Sequence, residues 1–169
     1  MRRKAIKRLT RYRRTALSAA LVGLLSLAGA TVAQAAECAP GKAGANALPG
    51  AASAPVGVTE MELISIDLSK EKVNLPDRRL RFRHMEIAPG GVVPLHSHAD
   101  RPALIIVNQG QIYEYSSQCT VPLLHKAGEI AKESNGLTHW WKNEGNVTVV
   151  LTIADIVNDK KPDTMMPKM

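Results

Sequence analysis

The chain has 169 residues and is 45% hydrophobic, which suits one domain with one packed core. Its formal charge of +7 sits at the N-terminus: 8 of the 22 basic residues and none of the 15 acidic ones lie in the first 35 positions, so the rest carries 14 bases against 15 acids, a net −1. The overall basic charge is therefore no argument for a nucleic-acid partner, and none is expected.

Arg2, Arg3, Lys4, Lys7, Arg8, Arg11, Arg13 and Arg14 precede an apolar run over 16–30, which is too short and too rich in small residues for a good membrane anchor. Ala33-Gln34-Ala35 then supplies the small residues that a signal peptidase needs. The reading is a cleavable export signal over 1–35, a periplasmic or secreted mature chain starting at Ala36, and no stable membrane anchor after cleavage. The pairs Arg2-Arg3 and Arg13-Arg14 leave both general and twin-arginine export open.

Residues 36–58 are dominated by Ala, Gly and Pro and read as a flexible or draped arm. The arm carries Cys38, and the rest of the mature chain has only Cys119. Two cysteines in a compartment where disulfides persist make a bridge between the arm and the folded region a candidate, with two unpaired thiols as the alternative.

The folded region is placed at 59–158, followed by a polar tail over 159–169. Short β-runs are expected at 61–68, 79–88, 103–107, 112–116, 129–133, 138–142 and 147–157, with no helical stretch after the signal, so the fold class is all-β, a sandwich or barrel. Pro89-Gly90-Gly91 reads as a breaker, and Asn108-Gln109-Gly110-Gln111 as a tight hairpin.

His96 and His98 lie two apart in an extended segment, so their side chains point the same way and can share one ion. His139 lies in a second extended segment, and if the two strands pair, three imidazoles converge.

Gly90, His96, His98 and Gly110 fit the first motif of the cupin superfamily, and Gly128, Ser134-Asn135-Gly136, His139 and Asn143 fit the second, with Ser134 where the motif has Pro. Over 90–143 the chain thus resembles a small cupin, which implies a single double-stranded β-helix (jelly-roll) barrel and a metal site at His96, His98 and His139. The place of the motif's glutamate falls on Pro102 or Ala103, so the usual carboxylate ligand is absent from it. Asp100 would reach in only if the segment 99–102 bulged.

Three imidazoles suit a divalent transition metal, with iron, copper, zinc, nickel or manganese as the candidates. Alternatively, the histidines line a metal-free pocket. His84, Glu86, Tyr113 and Trp141 are further candidates for the pocket wall, while wall packing is the plainer reading for Tyr113 and His125 reads as an exposed imidazole near a turn.

The resemblance implies a small-molecule ligand and leaves three functions open: a metal-dependent oxidoreductase of dioxygenase type, a module that binds a small ligand or a metal without turnover, or an isomerase or sugar-modifying enzyme in which His84 or Tyr113 would serve in acid–base work. Cupins often dimerise through barrel faces or strand exchange, so a homodimer is also open.

Overall fold

The computed structural model describes residues 37–45 and 48–161. The expected export signal and most of the expected tail lie outside the described residues. Among the described residues eight strands follow one another: β1 (Val56–Asp67), β2 (Arg78–Ser97), β3 (Ala103–Gln109), β4 (Gln111–Ser116), β5 (Leu123–Lys126), β6 (Ile130–Glu133), β7 (Thr138–Lys142) and β8 (Val149–Asn158). All the pairings are antiparallel, in the order β5-β4-β7-β2-β8-β3-β6, with β1 added to β2. Sequence periodicity locates seven of these strands and misses β5, a four-residue strand with no room for alternation to show.

The long strand β2 joins the two halves of the barrel. Its first half, Arg78 to Ile87, pairs with β8, and its second half, from Val92, pairs with β7. The expected breaker lies inside this strand and bends it without ending it. Gly90 takes φ +75°, and a Cβ on Gly91 would stand 2.8 Å from the Ala88 carbonyl, so only glycine lets the chain turn so tightly here.

Inward-facing residues alternate along each strand. On β8 they are Val149, Leu151, Ile153 and Asp155; on the first half of β2 they are Ile87, Met85, Arg83 and Arg81, opposite them in the same order. The barrel interior therefore changes character along its axis. At one end Ile87, Met85, Val107, Ile112, Val149 and Leu151 form an apolar plug, each side chain contributing about 1.5–3 kcal/mol by burial. Toward the other end the same strands carry charge.

The expected hairpin at 108–111 is corrected. β3 pairs with β6 and β8, whereas β4 pairs with β5 and β7, so the two strands that flank Gly110 lie in different ladders. Gly110 still needs its φ of +80°, because it turns the chain from one ladder to the other against Val149.

Cys38 and Cys119 form a disulfide, with Cα atoms 5.8 Å apart and 81 residues between them in sequence. Ala43 also bridges to Cys119, so disulfide and backbone both tie the arm to the segment between β4 and β5. Cys38→Ser is expected to lower the unfolding free energy by about 2–4 kcal/mol, since the bridge closes a long loop. Urea midpoints of the oxidised wild type and the variant decide this, and equal midpoints would show that the arm adds nothing to the stability of the barrel.

Candidate metal centre

The two halves of the site meet where β2 pairs with β7, and His96 stands directly opposite His139. A register shift makes this alignment. Between Val93, opposite Trp141, and His96, opposite His139, β2 has one residue more than β7. Met85, Ile87 and Val93 face inward at odd positions. Without the extra residue, at Pro94 and Leu95, the even-numbered His96 and His98 would point outward. His98 lies just past the end of β2, held by its N–H to the Leu137 carbonyl at 2.7 Å.

The carboxylate missing from the first motif is found elsewhere. Ala103 on β3 lies directly opposite Glu133 on β6, and Glu133 is buried beside the histidines. His96, His98, Glu133 and His139 each offer one ligand atom, all within 4.8 Å of one another. The expectation of a site without a carboxylate is corrected accordingly: the acid has moved across one ladder rung, from the motif position to its partner.

The hydrogen bonds around the ring fix which nitrogen faces the centre. Nδ1 of His96 is 2.8 Å from the Pro94 carbonyl, Nδ1 of His98 is 2.6 Å from the Arg101 carbonyl, and Nδ1 of His139 is 3.0 Å from Glu114 Oε1. Each of these partners can accept an N–H, and each ring turns its Nε2 to the centre.

Nε2 of His96 and Nε2 of His139 are 2.9 Å apart, and Nε2 of His98 is 2.9 Å from Glu133 Oε2 in a geometry that makes no hydrogen bond. The first contact is a hydrogen bond when one of the two nitrogens carries a proton, and without that proton two lone pairs this close need a cation between them. Three borderline imidazoles and one hard carboxylate are a donor set for a first-row divalent ion. The residues present fit the metal that the motifs imply.

Charge reinforces the arrangement. Burial, and then the neighbouring His139, hold His96 far below the ordinary imidazole range, which keeps it neutral. Burial alone pushes His139 down, but the carboxylates of Glu133 and Glu114 outweigh it and raise its pKa. For Glu114, burial pushes up, and hydrogen bonds from His125 and His139 more than reverse this, holding it down at about 2.

Glu114 thus orients His139 from behind, an arrangement in which the second partner of a ligating histidine sets its tautomer. The indole nitrogen of Trp141 also lies 2.9 Å from Nδ1 of His139. The indole N–H donates to Nδ1 when that nitrogen is unprotonated, and Glu114 accepts from it when it is protonated, so the ring has a partner behind it in either tautomer. Glu114→Gln is expected to weaken metal binding about 10- to 100-fold. Competition with a chromophoric chelator measures this, and unchanged affinity would remove Glu114 from the site.

The other sequence candidates divide. Trp141 is inside the barrel, against His139 and the interior void. His84 and Glu86 are on the outer face of β2, paired with each other at 3.0 Å with side chains 33% and 52% exposed, because inward places on this stretch fall to odd-numbered residues. Tyr113 is half-buried on the outer side of β4, whose inward residues are Ile112, Glu114 and Ser116.

Asp100 does not bulge inward. Arg78, Lys161 and Asn158 bind it at the surface, and the hydrogen bond from Arg78 above all holds its carboxyl well below the usual range. His125, expected at an exposed turn, is buried: it bonds Glu114 Oε2 at 2.8 Å and stacks on Trp141 with ring centroids 4.8 Å apart. Asn143 of the second motif is a backbone staple whose amide nitrogen reaches the carbonyls of Ile87, Ala88 and Val147.

An antiparallel barrel in two ladders, with both motifs on the adjacent strands β2 and β7 and their histidines in register, is the cupin fold. No protein-family model and no curated protein matches the chain.

Among solved structures, a predicted oxalate decarboxylase from Thermotoga maritima is similar at 18% identity, over 72% of this chain and 97% of that one, with a TM-score of 0.49. The Cnp3 cupin domain of Schizosaccharomyces pombe is similar at 17% identity, over 62% and 67%, with a TM-score of 0.47. KdgF from a Halomonas species is similar at 14%, over 65% and 84%, with a TM-score of 0.46. The strand order and the placement of the motifs carry the fold, and the likenesses accompany them.

Proposed function

We propose that the chain is an exported mononuclear metalloprotein that acts as an oxidoreductase of dioxygenase type on a small molecule. The observation that carries this reading is the buried set of His96, His98, Glu133 and His139, with every Nδ1 tied back so that three Nε2 atoms and a carboxylate face one point. A divalent ion held there would supply a Lewis acid or redox centre, and four protein ligands leave room in an octahedral shell for exogenous ones. Placement in the periplasm or outside the cell rests on the N-terminal signal pattern and agrees with the Cys38–Cys119 bridge.

A second reading, a binding module without turnover, is favoured by a different observation. The void beside the ligands, lined by Arg83, His96, Glu133 and Trp141 among others, is about 10 Å³, room for a single water. Metal analysis of the purified mature protein tests the first reading; absence of stoichiometric metal, together with failure to load any, would end it and leave a module for a small ligand. Water-proton relaxation of the Mn(II)-loaded protein separates them. An exchanging water on the ion is expected for the oxidoreductase, and a site closed to solvent would leave only the module.

A further inference from the structure

One outer face of the barrel is apolar, although an antiparallel sheet that meets water on one side ordinarily carries polar residues there. Strand pairing sets the residues of this face in rows across β1, β2, β8, β3 and β6. Ile64, Phe82, Ala154 and Leu104 form one row, which ends at Lys132. Ile66 and Leu80 belong to the row on one side of it, Met61 and Ile106 to the row on the other. None of these side chains is buried: Ile64 is 66% exposed, Met61 57% and Leu104 56%.

The five strands span about 19 Å and the three rows about 14 Å, so with its side chains the face offers on the order of 500 Å². Monomers rarely expose a contiguous apolar patch of that size without a use for it. Two such faces together would bury on the order of 1,000 Å², where specific interfaces begin.

Charge selects the occupant. A two-fold contact lays a face on itself, so a net charge there would be repeated across the contact and repel. This face carries one exposed acid, Glu86, and one exposed base, Lys132, and the two signs cancel. An anionic lipid surface would call for a cluster of cations, where this face has a single exposed one. The open edge of β1 is a poorer contact. Among the described residues β1 pairs with β2 alone, but Leu63 is an extra residue between Glu62, opposite Arg83, and Ile64, opposite Phe82. That bulge turns the edge away from a straight neighbouring strand.

We propose that the protein forms a two-fold homodimer in which this outer face packs on the same face of a second copy, with Phe82 and Leu104 inside the contact. The dimer requires neither a metal nor a small ligand, so its failure would leave the proposed function untouched.

Sedimentation equilibrium of the purified protein at about 1–100 µM tests this, with the wild type set beside Phe82→Asp, Leu104→Asp and Val147→Asp. Val147 is also an exposed apolar residue, but it precedes β8 and lies outside the rows. Two chains per particle are expected for the wild type and for Val147→Asp. Each face substitution enters the contact twice and buries a charge there, so each should raise the dissociation constant at least about a hundredfold. Both replaced side chains are exposed in a single chain, so the circular dichroism spectrum and the metal content should stay as in the wild type. If Phe82→Asp does not fold, Leu104→Asp alone decides. A wild type that stays monomeric up to about 100 µM, a dimer that survives in the folded face variants, or a dimer lost in Val147→Asp as well would overturn the proposal.

Discussion

Glu133→Ala is expected to lower metal affinity by about a hundredfold or more, and adding Ala103→Glu to the same chain is expected to bring it back to within about tenfold of wild type. The first part follows from the ligand set. Glu133 is its one anionic member, with Oε2 2.9 Å from Nε2 of His98 and Oε1 3.4 Å from Nε2 of His139. The second part follows from the ladder. Ala103 and Glu133 are directly opposite on paired strands, both buried and facing the same interior, so their Cβ atoms lie about 4.5–5.5 Å apart. A glutamate at 103 would grow into the volume that Glu133 vacates and return the acid to the place where cupin motifs usually have it. Chelator competition on the three proteins measures both effects. If Glu133→Ala binds metal as wild type does, the centre is a three-histidine site; if the folded double variant recovers nothing, the rung is not interchangeable.

The same rung shows what could and could not be read from the chain alone. His96, His98 and His139 are legible because motif spacing and strand alternation act along one strand at a time. Glu133 could be placed on a strand, facing the same way as Ala131, but its meeting with Ala103 depends on how β3 and β6 pair, which no local pattern states. His125 was hidden for a related reason. Its strand has only four residues, and its burial depends on Glu114 and Trp141 reaching it from β4 and β7. Asp100 shows the reverse case: close to the ligands in sequence, it is drawn to the surface by Arg78 and Lys161, which come from opposite ends of the folded region. The bulge at Pro94 and Leu95 matters most for the site. Alternation carried through from Met85 would turn His96 outward, and the histidine spacing alone gives no sign that one residue of slippage corrects it.

Asp155→Ala is expected to destabilise the fold by about 3–5 kcal/mol, because it breaks a buried ionic cluster by removing its anion. Asp155 lies at the charged end of the β8 inward face, opposite both Arg81 and Ala103. Arg81 binds it with two hydrogen bonds, at 3.0 and 2.9 Å; Arg83 reaches it at 3.1 Å, and Arg101 at 3.9 Å. Its side chain is wholly buried, and among the described residues Arg83 would keep only Glu60, at 2.6 Å, as an ion-pair partner. Ala103 stands between Asp155 and Glu133 in the same row of the barrel, so the excess positive charge left behind faces the metal ligands. A cation would then bind less tightly, and the variant should lose metal affinity as well as stability, in the same direction as Glu133→Ala though without losing a ligand. Urea unfolding of the chelated and metal-loaded forms separates the two losses. A stability change below about 1 kcal/mol would mean that Glu60 and Glu133 absorb the guanidinium charges and that Asp155 is not the centre of the cluster.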